Sequence, residues 1–174
     1  MTTMKKILTL LLASCLLLAL AGCPAPEPEE PHTEPATTIG DTTAQSETSL
    51  VQLYLPYVDE IEPNPAFVTL AAHTEGTAED IVALLVEHGA LPEGCAVLSF
   101  QLDKCCGNTA MLDMNAAYAE ALSRTGTFGE YLLLGSLVNT FLMFYEIDSI
   151  SLTADGQVLE TGHEVYDYPL TFLG

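Results

Sequence analysis

The segment Glu130 to Glu146, EYLLLGSLVNTFLMFYE, decides the fold. Leu134, Leu137, Val138, Phe141, Leu142 and Tyr145 recur at the three- and four-residue spacing that puts side chains on one helical face, so the segment is predicted to be a core helix. Ser136, Asn139 and Thr140 interrupt the apolar run on another side. They predict a wetter face, and these three residues are the candidate interaction surface. As a membrane span the segment reads as too short and too polar, since a bilayer core needs ~20 apolar residues.

Upstream of this helix the periodicity changes. Val51, Leu53 and Leu55 alternate with Gln52 and Tyr54, which predicts a half-buried strand that Pro56 closes or marks as an edge. A second strand is predicted over Phe67 to His73. Thr77 with Asp80 three residues on forms a helix start of the capping-box kind, and Ile81, Leu84, Leu85 and His88 then share one face until Gly89 and Pro92 stop the helix. Leu98, Phe100 and Leu102 alternate, the chain turns at Gly107-Asn108, and Ala110, Leu112 and Met114 alternate again, which predicts a hairpin. The alanine-rich stretch Asn115 to Arg124 predicts two helical turns ended by Gly126. Downstream, Ile150, Leu152, the Asp155-Gly156 turn and Val158 predict a last hairpin. The order strand, strand, helix, strand, strand, helix, strand, strand predicts an α+β fold: a mainly antiparallel or mixed sheet covered on one face by two main helices.

Residues 50–174 form this single predicted domain, long enough to bury about two thirds of its surface. Before it, Lys5 and Lys6 precede an apolar run from Ile7 to Ala21 that ends Leu20-Ala21-Gly22-Cys23. A positive start and a short apolar middle are the shape of a secretory leader over residues 1–22. The leucine and two small residues before Cys23 resemble the bacterial lipobox, which predicts cleavage before Cys23 and lipidation of its thiol. Several acyl chains at ~0.8 kcal/mol per buried methylene would make that anchor in practice permanent. An ordinary signal peptide or an uncleaved anchor is the alternative. Residues 23–49 then read as an acidic Pro/Thr-rich tether with almost nothing apolar, a spacer reaching roughly 80 Å if extended.

Charge narrows the function. The chain carries 24 acids against four bases, a formal charge of −20. Such a surface repels phosphates, so nucleic acid is excluded as a partner. Chemistry is equally sparse. HExxH, GxSxG, P-loop and GxGxxG motifs are absent, and Ser136 lacks the glycine spacing of a nucleophile elbow. His73, His88 and His163 read as a strand-end, a helix-end and a loop residue. Cys95, Cys105 and Cys106 lack metal-ligand spacing, and Cys95 is poorly placed to bridge the turn, which leaves a vicinal Cys105-Cys106 bridge or reduced thiols. No catalytic residue, metal site or cofactor is predicted.

Several stretches, in order, resemble one family. GEYLLLGSLVNTF (Gly129 to Phe141) resembles the main-helix signature of the GerMN domain, the module of sporulation and spore-germination lipoproteins. VQLYLPY resembles its opening strand, LPEGCAVLSFQLDKCCGNTAMLDMNAAYAEAL its hairpin region and DGQVLETGHEVYDYPLTF its closing segment, so the likeness runs from Val51 to Phe172. The resemblance implies a non-enzymatic, extracytoplasmic module that is held on the cell membrane through Cys23 and acts in envelope assembly with a protein partner, in sporulation or germination. It transfers no functional residue and leaves the oligomeric state open. Family members also occur with tandem domains, whereas one is read here, and the Cys105-Cys106 pair departs from the family pattern. Two other readings stand beside it: an extracytoplasmic ligand or cation binder, motivated by eighteen acids against two bases in residues 50–174, and an envelope hydrolase.

Overall fold

The computed structural model describes residues 48–59 and 65–174. The predicted leader, the lipidation site Cys23 and all but the end of the tether lie outside these residues.

Among the described residues, seven strands and three helices follow in the order β1 (Ser49–Val58), β2 (Pro65–Thr74), α1 (Ala78–Glu87), β3 (Val97–Asp103), β4 (Thr109–Met114), α2 (Ala116–Arg124), α3 (Thr127–Tyr145), β5 (Ser149–Ala154), β6 (Gln157–Glu160) and β7 (Val165–Tyr166). The fold is α+β, as the order of elements predicts. The strands do not form one sheet. β1 and β2 make a two-stranded antiparallel ribbon, and β3 to β7 make a five-stranded sheet in sequential order.

The five-stranded sheet is mixed. β3 and β4 pair antiparallel across the turn at Gly107-Asn108, with Phe100 opposite Leu112. β4 and β5 run parallel, with Leu112 beside Leu152. Parallel neighbours need a crossover, and α2 with α3 supplies it. β5 turns into β6 at Asp155-Gly156, both at positive φ (50° and 70°), the backbone a two-residue hairpin requires. Alternation sorts the faces: Ala110, Leu112, Met114, Ile150, Leu152 and Ala154 are buried under the helices, while Met111 and the Asp113–Thr153 hydrogen-bonded pair lie on the other face.

Local chemistry sets the helix ends. Thr77 caps α1 by accepting from Asp80 N at 3.1 Å, as its spacing predicts. Asn115 precedes α2 without capping it. Its amide instead pins the incoming loop, donating to Gly94 O (2.7 Å) and accepting from Ala96 N (3.2 Å). Gly126 does not only end α2, because it is also the N-cap of α3. That extends α3 to 19 residues, so it starts three residues earlier than the sequence reading and becomes long and apolar enough to cross a membrane by length and composition. Most of it is buried inside the fold, the ordinary position of a core helix.

α3 is the centre of the molecule and touches both sheets. Phe141 meets the Phe100 ring of β3 (centroids 5.5 Å), and Tyr145 meets the same ring at 4.6 Å. Toward the ribbon, Gly135 permits a close approach, because a Cβ there would lie 2.1 Å from Phe67 Cζ. The expected wetter face of α3 does not exist. Ser136, Asn139 and Thr140 are fully buried, and this corrects their reading as an interaction surface. The physical reason is that main-chain groups of other elements dock on Asn139 and Thr140. Thr140 Oγ1 accepts from Tyr54 N (3.0 Å) on β1 and donates to Ser136 O (2.6 Å), and Asn139 clamps Leu173 through both its amide atoms (2.7 and 2.9 Å).

Candidate functional site

Two concavities are open to a ligand among the larger ones. The bigger, about 550 Å³, is an apolar groove between α2, α3 and the loop after α1, lined by Pro92, Ala117, Ala121, Leu132 and Leu133, with the exposed Glu120–Arg124 ion pair at its side. No buried charge converges there. The second, about 440 Å³, lies between the start of α3, the β6–β7 turn and the C-terminal segment, and Glu130, Tyr131, His163, Glu164, Tyr166 and Tyr168 border it.

Glu130 sets this second cleft apart. It sits in the first turn of α3, where the helix dipole favours a negative charge, and it is 2% exposed. Its Oε1 accepts from Tyr166 Oη (2.5 Å) and Thr161 Oγ1 (2.8 Å). Thr161 Oγ1 in turn accepts from the amides of His163 (3.2 Å) and Glu164 (3.1 Å), which orients its proton toward the carboxylate. Burial, and then the hydrogen bond to Glu130, push the Tyr166 phenol well above its ordinary pKa, so it stays a donor at neutral pH. These bonds tie the β6–β7 turn to α3. Glu130 Oε2 is buried and has no hydrogen-bond partner. A buried carboxylate oxygen left so is unusual, because desolvation without a partner is unfavourable by several kcal/mol in order of magnitude. In the sequence Glu130 reads only as the helix start. The available signal was a single acid, four residues after Gly126, at the head of an otherwise apolar run.

The other predicted candidates do not assemble. His73 is exposed on β2, His88 is the C-cap of α1, and His163 borders the cleft that holds the buried Glu130. Ser136 Oγ is buried in the middle of α3 without a hydrogen-bond partner. Cys95, Cys105 and Cys106 are all free. Cys95 is buried, and burial raises its thiol pKa, whereas Cys105 and Cys106 are exposed with their amides donating to Asp103 Oδ1. Among the described residues no three His, Cys, Asp or Glu side chains converge as a metal site.

A mixed sheet covered on one face by helices, with a ribbon docked on the long helix, defines an α+β module. A family model described as Germane: Sporulation and spore germination matches residues 34–160. The chain belongs to this family. No curated protein matches it. Three solved structures resemble it: a candidate lipoprotein from Clostridium perfringens (18% identity, TM-score 0.45, 77% of this chain and 93% of that one), the tandem GerMN domains of the sporulation protein GerM from Bacillus subtilis (18%, 0.49, 79% and 48%), and the first GerMN domain of the same protein (20%, 0.48, 71% and 98%). The chain thus spans about half the length of the tandem structure.

Proposed function

We propose that this chain is a lipid-anchored, extracytoplasmic binding module that holds a protein partner at the cell envelope during sporulation or spore germination, without enzymatic activity of its own. The observation that carries the reading is membership of the sporulation and spore-germination family over residues 34–160. The leader and the lipobox-like Leu20-Ala21-Gly22-Cys23 support the anchor, and the acidic tether supports a domain held off the membrane. The −20 charge favours a basic partner, with encounter fast at low salt and slower as screening contracts the field to about 8 Å at physiological ionic strength.

Fractionation of spore-forming cells carrying wild type or Cys23→Ala tests the anchor. The variant is expected to leave the membrane fraction or accumulate unprocessed, and normal processing with full membrane retention would refute it. Recovery of a specific partner by crosslinking in sporulating cells tests the binding role. Hydrolysis of an ester or peptidoglycan by the purified protein, abolished by one of His73→Ala, His88→Ala or His163→Ala, would replace the binding reading with an enzyme.

A further inference from the structure

Glu130 does more than fasten the β6–β7 turn. Two hydroxyl donors occupy Oε1 and none reaches Oε2, although both oxygens are buried beside the same 440 Å³ cleft. We propose that this cleft is a lysine pocket: it takes the side-chain ammonium of a lysine on a partner protein, with Glu130 Oε2 as its acceptor. The proposal deepens the binding reading and rests on it.

Four observations select that ligand. The acceptor is a single oxygen. A guanidinium binds a carboxylate best through two parallel bonds, and Oε1 is already committed to Tyr166 and Thr161, so a point donor fits and a fork does not. The walls are aromatic and aliphatic. Tyr131, Tyr166 and Tyr168 line it with aromatic rings that suit a cation, and Leu134, Pro169 and Leu170 offer apolar surface to a four-carbon stem. A divalent metal ion is poorly served, because it wants several oxygen ligands and no metal-ligating trio is present among the described residues. Finally the charge is complementary: Glu164 borders the cleft with Glu130, and neither Lys104 nor Arg124 lines it. Oε2 is covered in this arrangement, so docking requires one bordering side chain to turn aside. Tyr168, which borders the cleft and is 45% exposed, has room to do so.

The test uses the full chain in a non-ionic detergent, labelled with ¹³C at tyrosine, titrated with Nα-acetyl-lysine methylamide and followed by NMR. Signals of Tyr131, Tyr166 and Tyr168 should move saturably, while Tyr57, exposed on β1, stays in place. Nε-acetylation of the probe removes its charge and should weaken binding by at least about tenfold, as should Glu130→Gln. Equal binding of the Nε-acetylated probe, equal binding by Glu130→Gln, tighter binding of the arginine counterpart or of glucosamine, or no saturable shift by about 0.1 M would each overturn the lysine pocket. The probe comparison is made on wild type, so it decides even if Glu130→Gln fails to fold. Crosslinking in cells separates the two proposals. A partner captured equally by wild type and Glu130→Gln leaves the binding module standing and removes the pocket, whereas a wild-type chain that captures nothing removes the binding module.

Discussion

Helices α1 and α3 obey different rules although both pack in the same core. α1 is two-faced: Ala78, Ile81, Val82 and Leu85 are buried and Glu79, Glu87 and their neighbours meet solvent. α3 is buried nearly all round from Leu132 to Leu142, with the half-buried Leu133 as the one break, and four of its buried residues, Glu130, Ser136, Asn139 and Thr140, are polar. On α1 the polar Glu79 and Glu87 mark the solvent side. On α3, Asn139 and Thr140 mark where another element's main chain docks. Polarity on a helix therefore reports a hydrogen-bonding need, and only the rest of the fold says who meets it.

The hardest way to break this contrast is to empty the centre of α3. Phe141 is fully buried and meets the rings of Phe100 and Tyr145, so Phe141→Ala should destabilise by about 3–5 kcal/mol in denaturant unfolding. A loss below about 1 kcal/mol would mean that the apolar stripe is not core.

This part of the molecule was legible in the sequence because its signals are local. The Thr77 cap, the Gly107-Asn108 and Asp155-Gly156 turns and the alternation on β3, β4 and β5 all depend on residues a few positions apart. What was not legible depends on distant partners. Asn139 bonds to a residue 34 positions away, Thr140 to one 86 away, and Glu130 to residues 31 and 36 away. No periodicity encodes those pairings. The split into two sheets is hidden for the same reason: the edge of β1 that could have joined a larger sheet is met by Thr140 instead of by a strand.

A polar replacement on α3 sharpens the point. Asn139→Leu conserves bulk but removes both bonds to Leu173, and the loss should be about 2 kcal/mol, accompanied by faster hydrogen exchange at the Leu173 amide. If Asn139 faced water, as its polarity alone suggests, the variant would be neutral or stabilising and exchange at Leu173 would not change. The corresponding test on α1 is smaller. Thr77→Ala removes an exposed cap, with an expected loss of about 1 kcal/mol by thermal or denaturant unfolding. A Thr77→Ala variant that loses more than Asn139→Leu would invert the ranking of the two helices.

The smallest effect lies where the two helices meet. Tyr145, on the last turn of α3, donates its hydroxyl to Gly76 O (3.0 Å), just before the Thr77 cap of α1. Tyr145→Phe should remove one partly buried hydrogen bond and destabilise by about 0.5–1 kcal/mol at neutral pH. Burial, and then the acids Glu79 and Asp80 on α1, push the Tyr145 phenol up to about 12. An unfolded tyrosine ionises near 10, so above that pH the unfolded chain releases a proton that the folded chain retains. The stabilisation is therefore complete below about pH 10 and lost as pH rises toward 12. Tyr145→Phe should lose less stability than wild type over that window, so the two unfolding curves converge with rising pH. Parallel curves would mean that Tyr145 ionises as freely in the folded chain as in the unfolded one, and that the junction between α1 and α3 is open to water.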